Sequence, residues 1–399
     1  MTNLNKYAGA YTLDQILIAD KIDISLLVKE FNIFTSIMDT TMVMRIIIAD
    51  SRNFLTDYKM QGGDDIKVQV SFSGGERNIY KLKLAKIRDI STLDTTRTYV
   101  LECISPFAFD SQYKRIQKNY SGIVSDIAFK IWEEYGGGEP FGIFHGADNV
   151  QSVNIPLWTP LKTMEWLAKR AKYADANTRF RFYQDSGGKY NFVPMELFNT
   201  LHGKKPPYEY TYLGDVSRTT MGGGNELPNT KKDMFNVIQM YHADNMDITN
   251  AMRQGVLGGT NYNIDVTNKQ MKMVQYNYFE EDEKKYLNSK KYYDAGDYLP
   301  GRVRFNVDMT SPDNALLDKS QIKQTQYIPH AGMLTLVVNG NASLDLGDII
   351  KLKVPKVGPG VSDQEDDVYS GKYMIMGKRD KFDAERMVSS IDVVKDGLK

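Results

Sequence analysis

The sequence predicts an α+β protein that is mainly β: two similar antiparallel β-barrel domains, an inserted α+β domain between them, and a further polar insertion in the second. Three observations predict it. Runs of alternating apolar and polar residues lie near both ends of the chain, with the period of a strand that buries one face. Between them are two stretches of helical, 3.6-residue periodicity. One short motif occurs in both alternating regions.

The first β-domain is expected over residues 1–112. Residues 42–49 are the most apolar early stretch, but Arg45 interrupts them and their length suits a core strand rather than a membrane span of about 20 residues. Ile66, Val68, Val70 and Phe72 alternate with Lys67, Gln69 and Ser71; Ser73, Gly74, Gly75 and Glu76 tolerate a turn; Tyr80, Leu82 and Leu84 then alternate with Lys81 and Lys83. That is a hairpin signature. Strands around residues 22–31 and 98–104 complete the set.

Residues 113–205 read as the α+β domain. Ser121 is the expected cap of a helix with Ile123, Ile127, Ala128 and Ile131 on one face, ended by Gly136, Gly137 and Gly138. A second helix is capped by Thr159 and begins at Pro160, with Leu161, Met164, Leu167, Ala168 and Ala171 in one stripe and Glu165 paired to Lys169. Trp158 and Trp166, at its start, read as core. Residues 179–183 and 189–193 flank Asp185, Ser186, Gly187 and Gly188 as a hairpin.

Past residue 206, glycine clusters at 222–225 and 255–259 read as loops, and alternation returns from Met333. The second β-domain is expected over 206–265 and 328–399, with an insertion domain at 266–327 whose charge run at 280–285 reads as a solvated helix face.

The chain has 399 residues, with 50 basic side chains balancing 50 acidic ones. Nothing in that balance points to binding nucleic acid by neutralising phosphates. Cys103 is the only cysteine, so no intrachain disulfide and no thiolate metal cluster can form, and assembly in a reducing cytoplasm is expected. No signal-peptide layout and no membrane insertion are expected.

The motif shared by the two β-regions is the most informative feature. Residues 63–70 align without gaps to 347–354: Gly63 with Gly347, Asp64 with Asp348, Ile66 with Ile350, Lys67 with Lys351 and Val70 with Val354. Arg88 and Asp89 then align to Arg379 and Asp380 at a larger offset, so the second copy carries extra residues, which the Pro- and Gly-rich stretch 355–370 can supply. Glycine permits the turn at a strand mouth, and aspartate can accept backbone N–H groups there. Two similar domains in one chain have a symmetry consequence: a trimer would present six of them around an axis, a form suited to joining a six-fold tube to a three-fold object.

Motifs of catalysis are missing. There is no Gly-x-x-x-x-Gly-Lys-Ser/Thr loop, no Gly-x-Ser-x-Gly elbow, and His145, His202, His242 and His330 lack ligand spacing. Glu133, Glu134, Glu165 and Glu196 have no setting that marks an acid pair. Lys67, Lys81, Lys83, Lys351 and Lys353 read as solvating a sheet face and guarding edges, the alternative being that those faces line a channel and bear on DNA passage. No metal or cofactor is expected.

The order of β-domain, α+β insert carrying residues 155–168, and second β-domain with Leu346 to Ile350 and Ser370 to Ile375 resembles the baseplate hub protein of contractile-tailed phages of the T-even type. It is similar, more loosely, to phage late-control tail proteins and to the N-terminal region of type VI secretion spike proteins. The resemblance implies a homotrimer whose six tube-like barrels form a pseudo-hexameric ring in the virion baseplate, assembled in the host cytoplasm. The central spike protein would lie below and tail tube proteins above, with baseplate wedge and tape-measure proteins as neighbours. DNA would meet it only in passage through the lumen, and no catalysis is implied. Two other readings follow from the residues: a cell-wall or polysaccharide hydrolase using the α+β domain, or a carbohydrate-binding adhesin using the tyrosine-rich 271–327 region.

Overall fold

A computed structural model describes residues 9–72, 76–139, 141–173, 180–197, 208–212, 234–242, 249, 258–266, 269–277, 303–308, 333–356, 364–384 and 386–395. The charge run at 280–285 and the glycine cluster at 222–225 lie outside them, as do His202 and His330. The protein is mainly β, with few helices, and no described helix is long and apolar enough to cross a membrane.

The first region contains β1 (Tyr11–Ile18), the two-residue β2 (Ile22–Asp23), β3 (Val28–Ser36), β4 (Val43–Asp50), the short α1 (Phe54–Tyr58), β5 (Asp65–Phe72), β6 (Arg77–Leu93), β7 (Thr96–Ile104) and α2 (Pro106–Ser111). Residues 22–31, expected as one strand, break after Asp23 because Ser25 folds back, its hydroxyl accepting from the Ile16 N–H at 2.7 Å and opening a 3-10 turn. The alternation is seen as expected: Ile66, Val68, Val70, Phe72, Tyr80, Leu82 and Leu84 are buried. With Met44, Ile46, Ile48 and Leu101 they make one apolar core.

The middle region contains β8 (Ile116–Ile123), α3 (Val124–Tyr135), β9 (Phe141–Phe144), β10 (Val150–Trp158), α4 (Pro160–Arg170), β11 (Phe180–Gln184) and β12 (Tyr190–Pro194). α4 is capped as read, the Thr159 hydroxyl accepting from the Lys162 N–H. α3 is not capped by Ser121. That residue sits in β8 opposite Ser152 of β10, and the helix starts three residues later without a side-chain cap. Trp158 and Trp166 are half-buried rather than core; they meet edge to face at 5.3 Å, and Lys162 and Arg170 lie over their rings.

The last region contains β13 (Tyr208–Tyr212), β14 (Asn236–His242), β15 (Gly258–Asp265), β16 (Gln270–Asn277), β17 (Val303–Asp308), β18 (Met333–Asn339), β19 (Ile349–Lys353), β20 (Gly371–Phe382) and β21 (Met387–Val394). Six of these strands, in the order β19–β13–β14–β18–β21–β20, close on themselves through β19–β20 pairing. This is a barrel around Leu336, Leu352, Tyr373, Ile375 and Ile391. It is not wholly antiparallel, since β13 runs parallel to both β14 and β19. Gly258 and Gly259, expected in a loop, open β15, which among the described residues pairs with β16 and β17 in a separate three-stranded sheet.

Among the described residues only this second barrel is closed by hydrogen bonds. In the first region the order is β3–β4–β7–β6–β5–β1–β2, and β1 does not pair with β3. A cleft of about 300 Å³ lies between those two strands, floored by Phe31 and Phe382. The two β-regions are one continuous sheet, joined where β20 pairs with β3.

Candidate functional site

The motif residues fall at two strand corners with the same geometry. At the mouth of β5, Gly63 has φ of +95° and its N–H donates to the Leu84 carbonyl at 2.8 Å. Asp64 accepts the Gln61 N–H on its carboxylate at 3.0 Å, and the Leu84 N–H donates to the Asp64 carbonyl. At the mouth of β19, Gly347 has φ of +85° and donates to Ile375 at 2.9 Å. Asp348 accepts the Asp345 N–H at 2.9 Å, and the Ile375 N–H donates to the Asp348 carbonyl. Ile66 and Val70 are buried in one core, Ile350 and Val354 in the other. The ladders beyond match too: β6 slips register between Leu84 and Lys86, and β20 between Ile375 and Gly377.

The lysines of the motif have different surroundings. Lys351 and Lys353 both bind Glu209 of β13, at 3.0 and 3.1 Å, and hold its carboxyl below the ordinary range. Lys67 stands in β5 between β1 and β6, so that strand is not a sheet edge.

Arg88 and Arg379 also part company. Arg379 reaches β3, donating from Nε and Nη2 to the Asn32 side-chain oxygen at 3.1 and 3.0 Å and lying over Phe34. Lys381 adds an ion pair to Glu30 at 3.1 Å, and Phe382 stacks on Phe31 with ring centres 4.3 Å apart. Arg88 stays on its own hairpin, 3.4 Å from both Glu102 and Asp89. Asp380 is buried and pairs with Lys378 at 3.0 Å, whereas Asp89 is exposed with φ of +54°.

Sequence reasoning missed the joint between the three regions. The loop between β11 and β12, read only as a turn, touches both β-regions. The Gln184 side-chain oxygen accepts the Met42 N–H at 3.0 Å, and Tyr80 donates its hydroxyl to the Ser186 carbonyl at 3.1 Å. From Ser186, both the N–H and the hydroxyl donate to Asp345, beside the second corner. Burial, then the neighbouring Asp345 charge, raises the Asp185 carboxyl to about 6. Beside this loop is a cavity of about 470 Å³ that reaches Lys81, Phe107, Asp110, Glu139 and Lys189. Burial raises Glu139 to about 7, although the Phe107 N–H donates to it at 3.2 Å. The only sequence signal was the density of small and polar residues at 184–188.

Among the described residues no group of His, Cys, Asp and Glu is arranged to hold a metal ion. Cys103 is buried in β7 and burial pushes its thiol far up, so it is an inert core side chain. Glu134 pairs with Lys118 and Glu165 with Lys169.

No family model matches the sequence, and no curated protein matches it. Solved structures do. A tail protein from Neisseria meningitidis MC58 superposes with a TM-score of 0.59 at 10% identity, covering 97% of each chain. The chain shares the fold of a tail protein. The 43 kDa tail protein of prophage MuSo2 from Shewanella oneidensis gives 0.56 at 13% identity over 96% of each chain. Prophage tail protein gp18 from Listeria monocytogenes EGD-e gives 0.50 at 11% identity, covering 95% of this chain and 94% of its own. The shared fold extends over nearly the whole chain.

Proposed function

We propose that this protein is a structural, non-enzymatic component of a phage-type tail: a baseplate hub whose homotrimer forms a pseudo-hexameric ring between a six-fold tail tube and a three-fold central spike. The observation that carries this reading is the match to the Neisseria tail protein over 97% of both chains. The paired corners at Gly63–Asp64 and Gly347–Asp348 support the geometry, because their hydrogen bonds coincide partner for partner.

The mechanism is geometric. Each chain contributes two β-regions, which we read as copies of one unit, the first over 1–112 and the second over 206–257 plus 328–399, with β15 taken into the insertion because it pairs with β16 and β17. Three chains then place six such units around an axis, and DNA passes through the lumen. Spike, tube and other baseplate proteins are the partners this reading requires. Negative-stain electron microscopy of the purified protein tests it: rings with three-fold symmetry and six similar densities are expected, and isolated particles of one chain, alone and with a spike protein, would contradict it.

A further inference from the structure

We propose that the surface around Leu157, Trp158 and Trp166, where β10 runs into α4, docks onto the acidic loop before β20 of a second copy of this chain. The inference rests on the ring reading and names two surfaces that close the ring.

The first signal is a leucine in a backbone that suits glycine. The β8–β10 ladder pairs Pro156 with Gln117 and Trp158 with Ile116 and passes over Leu157, which is the extra residue of a bulge. Leu157 has φ of +54°, in the left-handed region that glycine enters freely and leucine only at a cost. Burial within its own chain does not offset that cost, because Leu157 is 57% exposed. Bulges re-aim side chains, and strained backbone concentrates where a protein binds. A partner that covers this leucine accounts for both its conformation and its exposure.

The neighbours extend the leucine into a surface. Trp158 and Trp166 are half-buried, with Lys162 4.8 Å from one ring centre and Arg170 4.0 Å from the other. Tryptophan and arginine are the residue types that most often anchor protein contacts. Arg115, next to the strand partner of Trp158, is exposed, and its Nη1 donates to the Gln112 and Lys114 carbonyls at 2.8 Å each. Glu165 and Asp110 already pair with Lys169 and Lys114, so the face carries more positive than negative charge.

Charge complementarity selects the occupant. The whole chain is neutral, so an equal negative excess lies elsewhere on it. Glu365, Asp366 and Asp367 stand in a row before β20, and Val368 after them is 38% exposed. Lys356 is 3.8 Å from Asp367, and that carboxylate is still mostly exposed. The loop is held in shape: Asp366 accepts the Val368 and Tyr369 N–H groups at 2.8 and 3.0 Å, and the buried Lys395 donates to the Val368 and Ser370 carbonyls at 2.7 and 2.8 Å. One surface is basic and aromatic around an exposed leucine; the other is acidic beside an exposed valine. Docking them joins opposite charges and covers both apolar side chains. The two surfaces differ, so the contact is head to tail and generates a closed ring when the rotation allows.

Analytical ultracentrifugation of full-length variants, with urea denaturation beside it, tests the contact. Leu157→Gly removes the apolar anchor and suits the left-handed backbone. An oligomer weakened roughly tenfold, with stability unchanged or raised, is expected. Lower stability with an unchanged oligomer would make Leu157 a residue of its own chain only and overturns the contact. Lys162→Glu and Asp367→Lys should each weaken the oligomer about threefold, and the double variant, which swaps the charges at every interface, should restore it. A double variant no tighter than the single ones overturns the pairing with the acidic loop. An oligomer indifferent to all three, whether or not they bind a spike protein less well, overturns the docking and leaves the ring reading standing. A protein that is monomeric alone and with a spike protein overturns both.

Discussion

Asp89 and Asp380 stand at matching places in the same Arg-Asp pair, and the sheet has made them different residues. Asp380 is buried against Lys378 and accepts the Ser389 hydroxyl at 2.6 Å, so removing it leaves an uncompensated ammonium in the core. Asp380→Ala is expected to cost about 3–5 kcal/mol and Asp89→Ala less than about 1 kcal/mol, read by urea denaturation. Equal costs would mean that burial does not separate them. The sequence made the pair visible but not its burial, because β3 pairs alongside β20 at Asp380, a contact between residues more than 300 positions apart. Gly63 was legible because φ of +95° needs glycine. Glu139 was not, since no local pattern announces that a turn after α3 will face a cavity. Its carboxyl and that of Asp185 lie above their ordinary values of 4.5 and 3.8, so the folded state holds protons that the unfolded state releases. Their effect favours the folded state at low pH and is lost as pH rises through about 7 for Glu139 and about 6 for Asp185. Glu139→Gln should flatten the fall in stability between pH 5 and pH 8; an unchanged slope would place the titration elsewhere.

At the scale of elements, periodicity carried the strands and α4 but could not tell which strands lie at edges. Polar Lys67 and Lys81 look like edge guards, yet β5 is flanked by β1 and β6. Lys67→Pro removes a ladder N–H from an interior strand and clashes with the pleat. Loss of folded protein is expected by circular dichroism. Thr159→Ala should cost about 1 kcal/mol, the ordinary value of a lost cap, and Ser121→Ala next to nothing at α3. The Ser121 reading failed because a serine before an apolar stripe is also what an exposed strand position looks like; the β8–β10 pairing decided between them. Strand direction was hidden for a similar reason. β13 alternates like any half-buried strand, and only its partners make it parallel.

Over the whole molecule, the order of the three regions was legible because two stretches of two-residue alternation flank one of helical periodicity, and the joint was not, because it is made of loop residues that meet only after folding. The β20–β3 pairing turns two β-regions into one sheet, and the ring we propose sets three such sheets around one axis. Native mass spectrometry of the purified protein, alone and co-expressed with a spike protein, tests this most directly. The account predicts a species of three times 45.4 kDa, alone or with three spike chains bound. A mass of 45.4 kDa in both conditions would contradict it.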